Sequence, residues 1–238
     1  AYSDGTSAPA QTIAPGAAFR YDQSTETHTP KVFAAVVSSG QPLAVTVVNE
    51  HGNGISAYSG FAGTSVYPVM PLVNYQPATN RGWTTGVQIM NTGGSSTNVT
   101  VAFTPVPGSG TACTETQTIA AGQSKTFALT AFASTVAGED CVDGALFVGA
   151  GKVTVNSASM PLAVIVNQNR NKKVPASYFV GAYGGFDPAI ASRTVIFPLI
   201  MSRNGAGLIS TAFNIMNAGT SSTTVSCTFT GAPETATS

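Results

Sequence analysis

Charge is what this sequence has least of. Lys and Arg total ten, Asp and Glu ten, in 238 residues, and the formal net charge is zero. Charged residues make up 8%, against roughly 25% in typical soluble domains. No basic field exists to draw nucleic acid, and no polybasic cluster to hold a membrane surface. Apolar residues still reach 43%, so a core can be buried, and the disorder signature of low hydrophobicity with high net charge is missing. The solvated face must then be built from Ser, Thr, Asn, Gln and Gly, which suits an extracellular surface, an assembled polymer, or both. No apolar run approaches the 18 or more residues of a membrane helix. The opening AYSDGTSAPA lacks the charged and apolar regions of a signal peptide, so the expectation is a mature product or a chain that begins mid-sequence.

Catalytic signatures are equally scarce. There are two histidines, His28 in STETHTP and His51 in NEHGNG, and no G-x-S-x-G or H-E-x-x-H occurs. Asn49-Glu50-His51 reads as a solvated turn rather than a metal site. The run Gly144 to Lys152 has a phosphate-loop flavour, but its glycines are misplaced and Val153 stands where a magnesium-binding hydroxyl is needed. It reads as strand and turn. Asp140, Asp143 and Asp187 are scattered, without calcium-loop spacing. The sequence therefore predicts no enzyme, no catalytic residue, no cofactor and no metal.

Trp83, the sole tryptophan, lies in NRGWTTGVQ. With Tyr58 and Tyr178 it is a candidate for ligand or interdomain contact, the alternative being packing over the end of its own sandwich. Asn98-Val99-Thr100 is a candidate glycosylation sequon. Arg170, Lys172 and Lys173 form the one basic cluster and read as a solvated loop. Among three cysteines, Cys113 and Cys141 lie in loop-like contexts and are expected to form a disulfide, which implies an oxidising compartment. The alternative is two free thiols. Cys227 falls on an expected strand and is expected to be a buried free thiol.

What the sequence does have is an internal repeat. Pro71 to Thr104 returns as Pro198 to Thr230, offset by 126 or 127 residues. Within it Ile89-Met90-Asn91 matches Ile215-Met216-Asn217, and Val99 to Thr104 matches Val225 to Thr230. A second pair matches Gln11 to Gly16 with Gln117 to Gly122, and Pro42 to Asn49 with the run from Pro161. Tyr58 with Gly60, and Tyr178 with Gly181, mark matching connectors. Gly, Pro, Asn and Ser break β-branched runs about every ten residues, the spacing of an all-β sandwich. Expected strands include Val32 to Val37 and Pro42 to Asn49. One weakly helix-like piece spans Ala128 to Ala137.

Ordered along the chain, the repeat unit has a first half and a second half. Residues 61–180 hold both, residues 1–60 only a second half, and residues 181–238 only a first. Joined end to start, FTGAPETATS and AYSDGTSAPAQTIAPG resemble the uncut loop FTPVPGSGTACTETQTIAAG. Half a sandwich leaves apolar faces and sheet edges open. The halves can close within one chain, or between chains as in donor-strand complementation. If each step along the repeat repeats one rotation with net translation, an open head-to-tail polymer results. Connectors of 29 residues (Pro42 to Pro71) and 37 (Pro161 to Pro198) differ, which weakens that argument. A third case is a unit excerpted from a longer covalent array. The candidate subunit interface comprises Ile13, Val45 and Val47 of one half and Phe213, Ile215, Val225 and Phe229 of the other.

The pattern resembles the tandem Ig-like β-sandwich repeats of secreted prokaryotic surface, adhesin and filament proteins. The resemblance implies an all-β, antiparallel fold and an extracellular, cell-surface setting. The leading expectation is a structural subunit that polymerises head-to-tail with copies of itself. The alternatives are an adhesin or carbohydrate-binding stalk, with a glycan as partner, and an accessory region of a secreted hydrolase.

Overall fold

A computed structural model describes residues 1–29, 32–51, 54–61, 63–76, 82–128, 140–141, 144–156, 160–170, 179–202 and 211–229. The fold is all-β and antiparallel. The described residues form ten strands: β1 Thr46–His51, β2 Gly54–Ser59, β3 Val69–Tyr75, β4 Trp83–Asn91, β5 Thr97–Pro105, β6 Cys113–Ile119, β7 Ser124–Ala128, β8 Phe147–Val155, β9 Leu162–Arg170 and β10 Phe179–Gly184.

Strands β3 to β10 build a two-layer sandwich. One layer runs β10-β9-β4-β7 and the other β3-β8-β5-β6, joined at a corner by the single pair Tyr75–Thr84. Period-two alternation decides which side chains face inward. On β4 this buries Val87 and Ile89, on β5 Val99, Val101 and Phe103, on β8 Phe147, Val153 and Val155, and on β9 Leu162, Val164 and Val166. Met70, Val73, Ile119 and Phe127 fill the remaining space. The Gly144 to Lys152 run falls largely on β8. There a Cβ on Gly149 would lie 2.2 Å from the Thr104 carbonyl oxygen, so the glycine serves close strand approach.

Asn91 sews the two halves of this sandwich together. Its side-chain N–H donates to the Ser95 carbonyl (2.7 Å) and the Ile119 carbonyl (3.0 Å), and its Oδ1 accepts from the Gly93 N–H (2.9 Å). Its own carbonyl accepts from Gly122 N–H, in a turn that Gly122 makes at φ +70°. Beyond β10, Phe186 exchanges both backbone hydrogen bonds with Val69. The sandwich therefore runs past residue 180, the expected boundary.

The Cys113–Cys141 disulfide is present and closes a separation of 28 residues. It fits an oxidising compartment. No helix among the described residues is long and apolar enough to cross a membrane. Most of the helix-like stretch 128–137 lies outside the described residues, and Ala128 ends β7.

The flanks differ from the sequence expectations in an orderly way. Val32 to Val37 forms no strand, only the isolated bridge Tyr2–Ala35. Residues 191–202 and 211–229 form none either. Pro42 to Asn49 becomes a strand only from Thr46 onward. The reason lies in pairing. Thr46 to His51 corresponds to Ile165 to Arg170, the part of β9 that β10 also pairs. Leu43 to Val45 corresponds to Leu162 to Val164, whose ladder partner is β4, with single contacts from Ser65 and Gly185 on the other side. With no β4 counterpart beside it, that stretch stays irregular.

A chain-entropy estimate gives the 28-residue disulfide loop about 3.5 kcal/mol of stabilisation. Calorimetry with and without reductant is expected to show a loss of that order in the sandwich transition. An unchanged transition would show that the loop is held without the bridge.

Candidate subunit interface

The register of β1 and β2 reveals what they are. Val47 faces Tyr58, and Val166 faces Tyr183. Gly60 N–H donates to the Val45 carbonyl (2.9 Å), and Gly185 N–H to the Val164 carbonyl (2.8 Å). A Cβ on either glycine would meet the facing valine Cβ at 2.9 Å. The hairpin β1–β2 is thus the counterpart of β9–β10. The expected correspondence of Tyr58 and Gly60 with Tyr178 and Gly181 is replaced by Tyr183 and Gly185. The signal was in the sequence, as AYSGF at 57–61 and AYGGF at 182–186.

The same register accounts for the unequal connectors. Most of their difference is the number of residues between the paired strands, 171–178 between β9 and β10 against 52–53 between β1 and β2. From Phe61 to Val69 is eight residues, and from Phe186 to Ile196 ten.

The C-terminal flank keeps the local shape of its counterpart. Met201 N–H donates to Thr211 Oγ1 at 3.0 Å, as Asn74 N–H does to Thr85 Oγ1 at 2.9 Å. Asn217 donates to the Ser221 carbonyl at 2.8 Å and accepts from Gly219 N–H at 3.0 Å, repeating the Asn91 turn. The N-terminal flank does likewise. Ala17 N–H bonds the Ala14 carbonyl at 3.0 Å around Gly16 at φ +76°, as Gln123 bonds Ala120 at 3.1 Å around Gly122. Local turns need only their own residues, so they form.

Cross-strand partners are what is missing. Among the described residues, no hydrogen bond joins residues 1–61 to residues 191–229. Positions wholly buried in the sandwich are therefore open in the flanks. Ile89 is 0% exposed and its counterpart Ile215 52%; Val99 is 0% and Val225 56%; Phe103 is 1% and Phe229 69%. Ile13 and Val45 are exposed as well, while Val47 and Phe213 are half-buried, Phe213 against the ring of Phe197 at 5.0 Å. Cys227, expected to be buried, is an exposed free thiol. Its segment forms no strand and has no neighbouring strand to cover it.

The other candidates fall elsewhere. Trp83 opens β4, half-buried, with the Arg170 guanidinium carbon 5.6 Å from its ring centroid. Tyr58 is on β2, and burial pushes its hydroxyl pKa up. Tyr178 lies outside the described residues. Asn98 is on β5, its side chain accepting from the Thr118 hydroxyl at 2.6 Å. Cys113, Cys141 and Asp140 cluster as metal ligands would. The sulfurs are joined to each other, however, and Asp140 accepts from the N–H and hydroxyl of Thr114.

Sequence reading missed a polar knot in the N-terminal flank. His28 and Asp4 have side chains only 6% and 3% exposed and meet at 2.7 Å, with Glu26 3.3 Å from the other ring nitrogen. Phe33 lies tilted against the imidazole and Tyr2 meets it edge-on, and Ser3 N–H bonds the Ala34 carbonyl. Hydrogen bonds from the Thr6 hydroxyl and N–H, then from His28, hold the Asp4 carboxyl at about 2. The Asp4 hydrogen bond raises His28 above 6.5 against its burial. Asp4 is depressed, so its contribution is whole above 3.8 and fades as pH falls through about 2. His28 is raised, so its contribution is whole below 6.5 and fades as pH rises through the elevated value. The knot is expected to be firmest between these limits. An NMR titration of the His28 ring should give a midpoint above 6.5 that falls in Asp4→Asn. A midpoint indifferent to Asp4→Asn would remove the pair from the account.

Comparison with known proteins adds little beyond this geometry. No family model and no curated protein matches the chain. Among solved structures, the crystal structure of Thermotoga maritima 1070 is similar over 53% of this chain and 97% of that one, at 13% identity and a TM-score of 0.38.

Proposed function

We propose that the chain is a structural subunit of an extracellular filament or surface array, polymerising head-to-tail by half-domain complementation. One observation carries the reading: both flanks hold the turns of the finished sandwich while the positions that would be core stay open to water. Exposed apolar area on this scale marks an interaction surface. Each large aliphatic or aromatic side chain covered there contributes about 1.5–3 kcal/mol. The two surfaces differ, so the contact is heterologous and propagates. A sparsely charged, hydroxyl- and amide-rich exterior with a disulfide suits the extracellular setting.

Val45→Asp and Ile215→Asp test this directly. Each would bury a carboxylate in the joint, at a cost of several kcal/mol, and each lies outside the complete sandwich. Under light scattering and negative-stain microscopy the native chain is expected to form polymers and each variant to stay monomeric. Mixed, the variants retain one good joint and should stop at a one-to-one dimer. A native chain that stays monodisperse and monomeric at high concentration would sink the proposal.

A further inference from the structure

We infer that the open face of residues 195–229 is filled by residues 11–61 of a second copy, in a register that the complete sandwich spells out residue by residue. The inference rests on the polymer reading and adds the partner's segment, its alignment and one further strand. Ile89 faces Val164 and Val87 faces Val166 on β4 and β9, which places Ile215 opposite Val45 and Phe213 opposite Val47. Asn91 reaches the Ile119 carbonyl across the halves, so Asn217, already holding its local turn, reaches the Ile13 carbonyl.

The joint extends beyond residues 11–49 because β2 stands where β10 does. Tyr183 spans from β10 to β3, its hydroxyl donating to the Leu72 carbonyl and accepting from the Leu72 N–H at 3.1 Å. Tyr58 occupies the same place on β2 and meets the Leu199 peptide of the neighbouring copy. Phe61 likewise takes the place of Phe186 and pairs with Ile196 as Phe186 does with Val69. Cys227 takes the place of Val101, which is 0% exposed, and changes from an open thiol to a core residue.

Gln88 faces Ile165, so the register puts Asn214 opposite Thr46. The experiment places cysteines at these two positions, Thr46→Cys with Asn214→Cys, in a Cys227→Ser background, and treats the chain with a short thiol cross-linker. The off-register control is Thr46→Cys with Ile215→Cys, whose side chains point to opposite faces. A covalent ladder in steps of 24.1 kDa, with at least about tenfold more cross-linking than the control, is the expected result. A cross-linked product of single-chain size would overturn the second copy as occupant. Equal ladders from both pairs, or polymers by microscopy without cross-linking of the matched pair, would overturn the register while leaving the filament reading intact.

In the native chain, maleimide labelling of Cys227 should slow at least about tenfold when subunits assemble. Labelling at the same rate in polymer and monomer would overturn its placement in the joint. Tyr58→Phe should weaken assembly by about tenfold, the loss of one hydrogen-bonded hydroxyl, and no effect would remove Tyr58 from the joint.

Discussion

A β-strand is completed by its neighbour, and most of what is seen in this molecule follows from that constraint. The nine-residue ladder between β4 and β9 spans the two halves of the repeat unit. Where both halves are present in sequence order, the ladder forms, period-two alternation drives one face inward, and a core closes around Ile89 and Val164. Where one half stands alone, turns form and strands do not. Thr46 to His51 is instructive because it is a strand only where β2 supplies a partner. Leu43 to Val45 have the same residue types as β9 but, apart from the bond from Gly60 N–H to the Val45 carbonyl, no strand beside them to continue the ladder.

The fold class, the repeat and the disulfide were all legible, because each is written in local pattern: alternation, turn residues, cysteine context. Three things were not. The β1–β2 hairpin was overlooked although AYSGF and AYGGF mark it, because its strands are short and its role emerges only from register. Strands at Val32 to Val37 and around Cys227 were expected from apolar pattern and repeat match, which mark residues suited to a pleated, half-covered surface and do not provide that surface. The Asp4–His28 knot was hidden because its partners lie 24 residues apart in a loop-like segment with no periodicity.

The knot and the disulfide occupy comparable places. In the complete sandwich Cys113, at the start of β6, is tied to Cys141 ahead of β8. In the N-terminal flank Asp4, ahead of Ile13, is tied to His28 ahead of Val32. One copy uses a covalent bond to hold a long loop, the other a hydrogen-bonded ion pair with aromatic cover. The first depends on redox state and the second on pH, so two copies of one design answer to different solution conditions.

The pair Val69–Phe186 has a mechanical consequence. These two residues lie near where the chain enters and leaves the sandwich, and because they exchange both hydrogen bonds in antiparallel fashion, both connectors depart from the same end. A pull along the connectors would not shear the long β4–β9 ladder. It would peel apart the Ser65–Leu162 bridge and this pair first and then work inward one contact at a time. A string of such units would yield under load by opening at the mouth of each sandwich, and behave as an extensible tether rather than a stiff rod.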